Sequence, residues 1–483
     1  MNHFTLRQAA LACHAKEYSL RCGGLCPYTG QDPSGDGVLT ELCTDSREAS
    51  VGCLFAAIPG ERVDGHRFIP MALEKGAAGV LCQRKDLAED PRYQDPRVLY
   101  VENTLTAMLQ IAASYRRGFS LHLAAVTGSV GKTTTKEMIW TALSARYHTL
   151  KSLGNQNNEI GLPRTLLRLD SSYEAAVVEM GMSGLNEIRP LTLAAQPEAV
   201  VLTNIGVSHL ERLGTRENIL KAKLEILEGL KPGGALIVNL DNDLLGEWYR
   251  REGKDLPFRL LPYGVESADA VVRAKNVVQS HTDCRFTLCF EGKEYQVELP
   301  CVGMHNVENA LAAVAVAYAF GIPPQQAAQA LKDYQPSGMR QRLHPVDGML
   351  FVEDCYNASP DSMTAALRSM QTMDCPRPDG RKILVFADML ELGSVASQAH
   401  HQVGIQAAAA AQQLFAYGPL AQQTVSAARE AGMQCAYWYP DKPQLLEALK
   451  GCVRRGDLVW FKASRGMELE QVIDALCREK GDE

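Results

Sequence analysis

The stretch Val126-Thr-Gly-Ser-Val-Gly-Lys-Thr-Thr-Thr135 follows the apolar run Leu121-His-Leu-Ala-Ala-Val126 and leads into a segment of helical character. The spacing predicts a strand, a tight glycine turn and a helix N-terminus. Gly128 and Gly131 let the backbone approach an anion, Ser129 and Thr134 add hydroxyls, and the first N–H groups of the helix favour negative charge. Lys132 supplies a full positive charge, and Thr133 stands where a P-loop hydroxyl meets magnesium. The pattern is the short form G-x-x-G-K-T, because Val126 occupies the place of the first glycine in G-x-x-x-x-G-K-[ST].

Outward from this turn, 483 residues are enough for about three domains. A hydrophobic fraction of 46%, a charged fraction of 22% and a net charge of −7 describe a folded globular chain with no overall basic surface for nucleic acid. The N-terminus lacks a secretory pattern, and the longest apolar run, Ala310 to Phe320, is too short to span a bilayer, so a cytoplasmic protein is expected. The 14 cysteines are scattered without any C-x-x-C, with Cys22 and Cys26 nearest one another, and read as reduced, small core residues.

Strand and helix signals alternate along the whole chain, which predicts an α/β protein of three domains at 1–115, 116–336 and 337–483. The central one is a P-loop ATPase-like parallel-sheet domain, flanked by an N-terminal α/β domain and a C-terminal Rossmann-like domain without G-x-G-x-x-G. In the first, Thr44-Asp-Ser-Arg47 and the loop Glu61-Arg-Val-Asp-Gly-His-Arg-Phe68 gather hydrogen-bonding groups. Ser46, Arg47 and His66 either bind a polar anionic ligand or cap helices and turns.

In the central domain, Ala175-Ala-Val-Val-Glu-Met180 and Glu198-Ala-Val-Val-Leu-Thr203 read as buried parallel strands. Ligands sit at the carboxyl ends of such strands, which puts Glu179 and His209 on the rim of Lys132, each closing a strand. A carboxylate and an imidazole there could hold magnesium beside Thr133, although magnesium prefers oxygen. Lys221-Ala-Lys-Leu-Glu-Ile226 falls on a helix beginning near Arg216. Phe286–Phe290 and Tyr295–Leu299 predict a hairpin, and Asn309–Phe320 a buried helix whose entry carries Asn306 and Asn309 on one face.

Taken together, Thr127-Gly-Ser-Val-Gly-Lys-Thr-Thr134, Asn155-Gln-Asn-Asn-Glu-Ile-Gly-Leu-Pro163, Glu179-Met-Gly181, Thr203-Asn-Ile-Gly-Val-Ser-His209 and Ala222-Lys-Leu-Glu225 closely resemble the Mur ligase family of ATP-dependent amide-forming enzymes. Thr44–Arg47 and Gly60–His66 look like the family's domain for a nucleotide-linked precursor. Asp354-Cys-Tyr-Asn-Ala-Ser-Pro-Asp-Ser-Met363 and Ala387-Asp-Met-Leu-Glu-Leu-Gly393 resemble the member acting at the last step. The resemblance implies UDP-N-acetylmuramoyl-tripeptide and D-alanyl-D-alanine as substrates, ATP and two Mg2+ as cofactors, and a monomer.

It further implies that Lys132 contacts the ATP phosphates, that Thr133 and Glu179 serve one magnesium and His209 a second, and that Lys223 carries a CO2-derived carbamate. Asn306 and Asn309 would lie on the adenine side, with Arg340, Asp354, Tyr356 and Asn357 closing over ATP. Asn157, Asn158, Asp388, Lys462, Ser464 and Arg465 would face substrate. Two departures from the family pattern stand out: Ala463 and Ala387 occupy positions where glycine is usual. Rival readings are the ligase adding the third amino acid, folylpolyglutamate synthase, and a GTP switch; the last needs an N-K-x-D segment that the chain lacks.

Overall fold

A computed structural model describes residues 1, 3–15, 37–60 and 63–481. Glu61 and Arg62 of the polar loop, and Cys22 and Cys26, lie outside these residues. The chain divides into two compact units: Met1–Thr127 with Tyr147–Val200 and Ala222–Gly234, and Gly128–Arg146 with Val201–Lys221 and Ala235–Glu483.

The first unit contains a four-stranded parallel sheet ordered Leu42–Cys43, Leu54–Ala56, Gly79–Cys82, Val98–Tyr100. It also contains His122–Thr127, Ala175–Glu179 and Thr149–Lys151, side by side and parallel, with Val126 opposite Glu179. Ala175–Glu179 is buried at every position. A continuous run of Ala and Val fits a strand covered on both faces, where an alternating pattern would leave one side wet.

In the second unit the strands Cys284–Phe290 and Lys293–Leu299 pair antiparallel, with Phe290 opposite Lys293. Their two-residue connection, Glu291-Gly292, has φ values of 50° and 73°, the twist that lets a tight hairpin match right-handed strands. Val272–Gln279 and Tyr263–Gly264 extend this hairpin to four strands. The Ala-rich helix expected from Asn309 begins five residues earlier, spanning Met304–Ala319, and is buried almost continuously from Asn306 to Ala317.

The C-terminal part of the same unit is a six-stranded sheet ordered Arg342–Val346, Met349–Asp354, Leu458–Lys462, Lys382–Ala387, Gln413–Tyr417, Ala436–Tyr439. Only the first pair is antiparallel. Alternate residues feed two cores: Leu350, Val352, Leu384, Phe386 and Trp460 on one face, Phe351, Ile383, Val385, Val459 and Phe461 on the other. Asp354 is in register with Lys462, and Lys462 with Phe386. The carboxyl ends of three neighbouring strands therefore bring Asp354, Lys462 and Ala387 to one edge, where open α/β sheets bind ligands.

Candidate active site

The predicted turn is present: His122–Thr127 is a strand, Lys132–Ser144 a helix, and Gly131 stands at the helix N-cap with φ of 82°. A side chain at Gly131 would carry backbone strain of about 1–2 kcal/mol. At Gly128 the reason for glycine is contact, because a Cβ would lie 1.8 Å from Thr203 Oγ1.

The loop is braced by the segment that follows Leu202. Thr203 Oγ1 donates to the Val130 carbonyl at 2.7 Å, and the Asn204 side chain accepts from the Val130 N–H at 2.9 Å. Ser129 N–H donates to the Asn204 carbonyl at 3.0 Å, while Gly206 N–H donates to Ser129 Oγ at 2.9 Å. Lys132 Nζ curls back over the carbonyls of Gly128 and Ser129, at 2.8 and 3.2 Å. That places its charge above the turn. Thr133 is buried at the first helical turn.

His209 departs from the expectation. The strand stops at Leu202, and His209 sits seven residues on, heading the short helix Leu210–Leu213 with φ of 66°. The intervening Thr203–Ser208 is spent on bracing the phosphate turn, so the position of His209 depends on that loop and no strand end fixes it. A left-handed non-glycine residue is uncommon and costs about 1 kcal/mol or more.

Asn306 and Asn309 form a relay. Thr135 Oγ1 donates to Asn309 Oδ1 at 2.9 Å, Asn309 Nδ2 to Asn306 Oδ1 at 3.2 Å, and Asn306 Nδ2 to the Val302 carbonyl at 2.7 Å and Gln341 Oε1 at 2.9 Å. At the sheet edge, Lys462 Nζ is 2.9 Å from Asp354 Oδ2 and donates to the Asn357 carbonyl at 3.0 Å; both ionic groups are buried. The Arg340 guanidinium lies 4.0 Å over the Tyr356 ring, and Arg465 pairs with Glu470.

Asp388 and Ser464 have structural tasks. Asp388 accepts the N–H groups of Leu420 and Ala421, at 3.2 and 2.7 Å, at the start of helix Ala421–Glu430. Ser464 Oγ accepts from Leu390 N–H at 2.9 Å. The departures Ala387 and Ala463 are fully buried, and neither is among the residues of positive φ. Their methyl groups join the core without strain.

In the first unit, Glu179 ends its strand and is buried, its Oε1 accepting from Asn157 Nδ2 at 2.9 Å. Asn158 Oδ1 accepts the Gly161 N–H at 2.9 Å where the next helix begins. Lys223 lies one residue before the end of helix Arg216–Leu224 and is 1% exposed. Two residues on, a carboxylate has a task that the sequence alone did not show: Glu225 accepts N–H groups from Asn186, Ile188 and Arg189 at 2.6, 3.2 and 3.1 Å. An acid closely following a helical lysine was a signal in hand; the helix start at Ile188, with no capping side chain of its own, was not.

Ser46 is buried and Arg47 exposed. The Arg47 guanidinium holds the Asp45 carboxyl down to about 2, and Lys75 Nζ donates to the carbonyls of Ser46 and Arg47. His66 is buried between Asp64 Oδ1 at 2.6 Å and Gln83 N–H, which donates to its Nε2 at 3.2 Å. Accepting at Nε2 leaves the proton on Nδ1, facing Asp64. His66 therefore orders its loop. Among the described residues no cluster of three or more His, Cys, Asp or Glu stands ready to hold a metal, and no helix is long and apolar enough to cross a membrane.

Comparison with known proteins identifies the architecture. The Mur ligase middle domain matches residues 126–317, the Mur ligase glutamate ligase domain residues 339–465, and the Mur ligase family catalytic domain residues 38–116. UDP-N-acetylmuramoyl-tripeptide–D-alanyl-D-alanine ligase of Bacillus subtilis is 40% identical over 442 residues, 91% of this chain and 93% of its own length. The Escherichia coli ligase of the same name is 34% identical over 92% of this chain and 96% of its own. The crystal structure of MurF from Acinetobacter baumannii superposes with a TM-score of 0.85 at 29% identity, covering 98% of this chain and 99% of that one. MurF ligase from Thermotoga maritima, solved in complex with ADP, gives 0.81 at 27% identity, covering 92% and 99%. With its three-domain α/β fold of parallel sheets, the chain belongs to the Mur ligase family.

Proposed function

We propose that this protein is the ATP-dependent ligase that joins D-alanyl-D-alanine to UDP-N-acetylmuramoyl-tripeptide, forming ADP and phosphate in peptidoglycan precursor synthesis, and that it works in the cytoplasm as a monomer. The braced glycine turn carrying Lys132 is the observation that supports nucleotide chemistry most directly. The likeness to the Bacillus subtilis ligase, extending over nearly the whole chain, supports the choice of substrates. Domain limits of 1–115, 116–336 and 337–483 assign precursor binding, ATP binding and closure in that order.

A carboxylate does not condense with an amine at neutral pH, since oxide is a poor leaving group. The terminal carboxylate of the tripeptide attacks the γ-phosphorus of ATP; the bond to the bridging oxygen breaks and ADP departs. The amine of D-alanyl-D-alanine then attacks the acyl carbon, and phosphate leaves with the electron pair of the C–O bond. Lys132 and the helix N–H groups behind Gly131 offset the repulsion between carboxylate and triphosphate. Exclusion of water protects the acyl phosphate from hydrolysis.

The donors suit the expected cofactor: Thr133 and Glu179 offer hard oxygens for magnesium, with His209 serving a second ion, and bound magnesium would neutralise charge on the transferred phosphoryl group. Asn306 and Asn309 take the adenine side, and Arg340, Asp354, Tyr356 and Asn357 the closing face. The carbamate is assigned to Lys223, which is buried near the end of helix Arg216–Leu224. Ser46, Arg47, His66, Asn157, Asn158, Asp388, Lys462, Ser464 and Arg465 are assigned to substrate, and His66, Asn158, Asp388 and Ser464 also hold neighbouring backbone.

Lys132→Ala should abolish amide formation while circular dichroism and the melting transition stay close to wild type. Wild-type turnover in that folded variant would refute the role of the turn.

A further inference from the structure

The brace that holds the phosphate turn is itself held from the C-terminal side. Val207 N–H donates to Asp361 Oδ2 at 2.8 Å. The contact is close enough that a Cβ on Gly206 would lie 2.0 Å from the same oxygen. Asp361 occupies the first turn of helix Pro360–Thr372, immediately after Asn357-Ala-Ser-Pro360. That helix has its own capping box, Ser359 with Ser362, so the carboxylate of Asp361 is free of the capping task that an acid in a first turn commonly performs.

Glu211 also comes close to the C-terminal part: a Cβ on Gly393 would lie 2.3 Å from its carboxyl carbon. From the other side, Arg216 donates to the Ile205 carbonyl at 2.6 Å while paired with Asp243. Gly206 is at the same time hydrogen-bonded to Ser129 Oγ of the phosphate turn. One short loop thus connects Ser129, His209 and Asp361.

We propose that Asp361 is a positioning residue which clasps the 203–209 loop, so that docking of the C-terminal helix sets the phosphate turn and His209 in their working arrangement. The clasp rests on the ligase reading for its consequence, which is to make ATP cleavage depend on a closed, water-excluding site. A loosened clasp keeps the bonds that Lys132 makes to its own loop but frees the 203–209 brace, so ATP is spent without an amide being made.

The test combines two readouts on the full-length protein. Hydrogen exchange followed by mass spectrometry should show the 203–209 segment exchanging at least about tenfold faster in Asp361→Ala than in wild type, with Ile383–Ala387 unchanged. With ATP, UDP-muramoyl tripeptide and D-alanyl-D-alanine, the ratio of ADP to amide formed should rise severalfold in Asp361→Ala and kcat should fall about tenfold, while KM for ATP changes less than twofold. Asp361→Asn should recover most of the loss, because its amide oxygen still accepts the Val207 N–H. Gly206→Ala should reproduce the defect by displacing the carboxylate, and in the double variant the two effects should not add, since the new methyl fills the space left by the acid.

Unchanged exchange in Asp361→Ala overturns the clasp. An unchanged ADP-to-amide ratio overturns its coupling role even where exchange rises, and additive effects of the two substitutions do the same. A wild-type protein that makes no amide refutes the ligase reading, and the exchange measurement still decides the clasp.

Discussion

Buried charge decides what single substitutions do here. Lys462 and Asp354 form an ion pair away from water, and removing one partner strands the other; such losses cost about 3–5 kcal/mol. Lys462→Ala is therefore expected to lower stability by that amount, read as a shift of the urea midpoint, and its loss of activity must be measured below the unfolding transition. Lys132, which caps carbonyls of its own loop, should show the opposite combination of intact stability and lost catalysis. Glu198 offers a test by pH. Its hydrogen bond with His122 at 2.8 Å, reinforced by Lys231 at 3.0 Å, holds its carboxyl down from an ordinary 4.5 to about 2. A depressed carboxyl contributes stability that is complete above about pH 4.5 and lost as pH falls through about 2. The group is partly exposed, so the contribution is about 1 kcal/mol. Glu198→Gln should lower stability by that much at pH 7, and the gap should close toward pH 2; a gap independent of pH would contradict the assignment.

At the scale of elements, the strand–turn–helix around Gly131 was legible because three independent signals coincide within ten residues: a buried run, glycines where a Cβ is forbidden, and a lysine over a helix N-terminus. The hairpin at Glu291-Gly292 was legible for a similar reason. His209 was not, because periodicity shows where a strand lies but not how a loop of Thr203–Ser208 folds back to brace another loop. The backbone tasks of Asp388 and Asn158 were not legible for a related reason: whether a polar residue at an element end holds a neighbouring backbone depends on long-range contacts such as Asp388 to Ala421. Glu225 illustrates the converse. It supplies the anion for helix Ile188–Ala195, which has no capping side chain of its own. Glu225→Gln should cost about 1–2 kcal/mol through the lost charge–dipole and hydrogen-bond terms, and it should reduce activity through displacement of Lys223 two positions before it. Bicarbonate addressed to CO2-depleted enzyme tests that neighbourhood further: activity should fall in CO2-free buffer and return on addition, and insensitivity to both would remove the carbamate from Lys223.

For the whole molecule, the α/β class and the family followed from ordered motifs spread from Thr44 to Arg465, and the family domains matched over 38–116, 126–317 and 339–465 bear this out. The way the chain partitions into compact units was not readable, since the segments Gly128–Arg146 and Val201–Lys221 group with the C-terminal residues through contacts distant in sequence. That grouping gives physical content to the clasp at Asp361, which ties the phosphate turn to the C-terminal helix within one unit.

Activation of one substrate's carboxylate for attack by a particular amine is what this site performs. Its most direct test is the initial rate of ADP formation by purified protein with ATP and magnesium across a matrix of UDP-muramoyl peptides and amine donors, with the peptide products identified by mass. Rapid ADP formation and a new amide are expected only when UDP-N-acetylmuramoyl-tripeptide and D-alanyl-D-alanine are both present. ADP formation indifferent to the amine, or an amide formed from a UDP-linked dipeptide and a single amino acid, would contradict it.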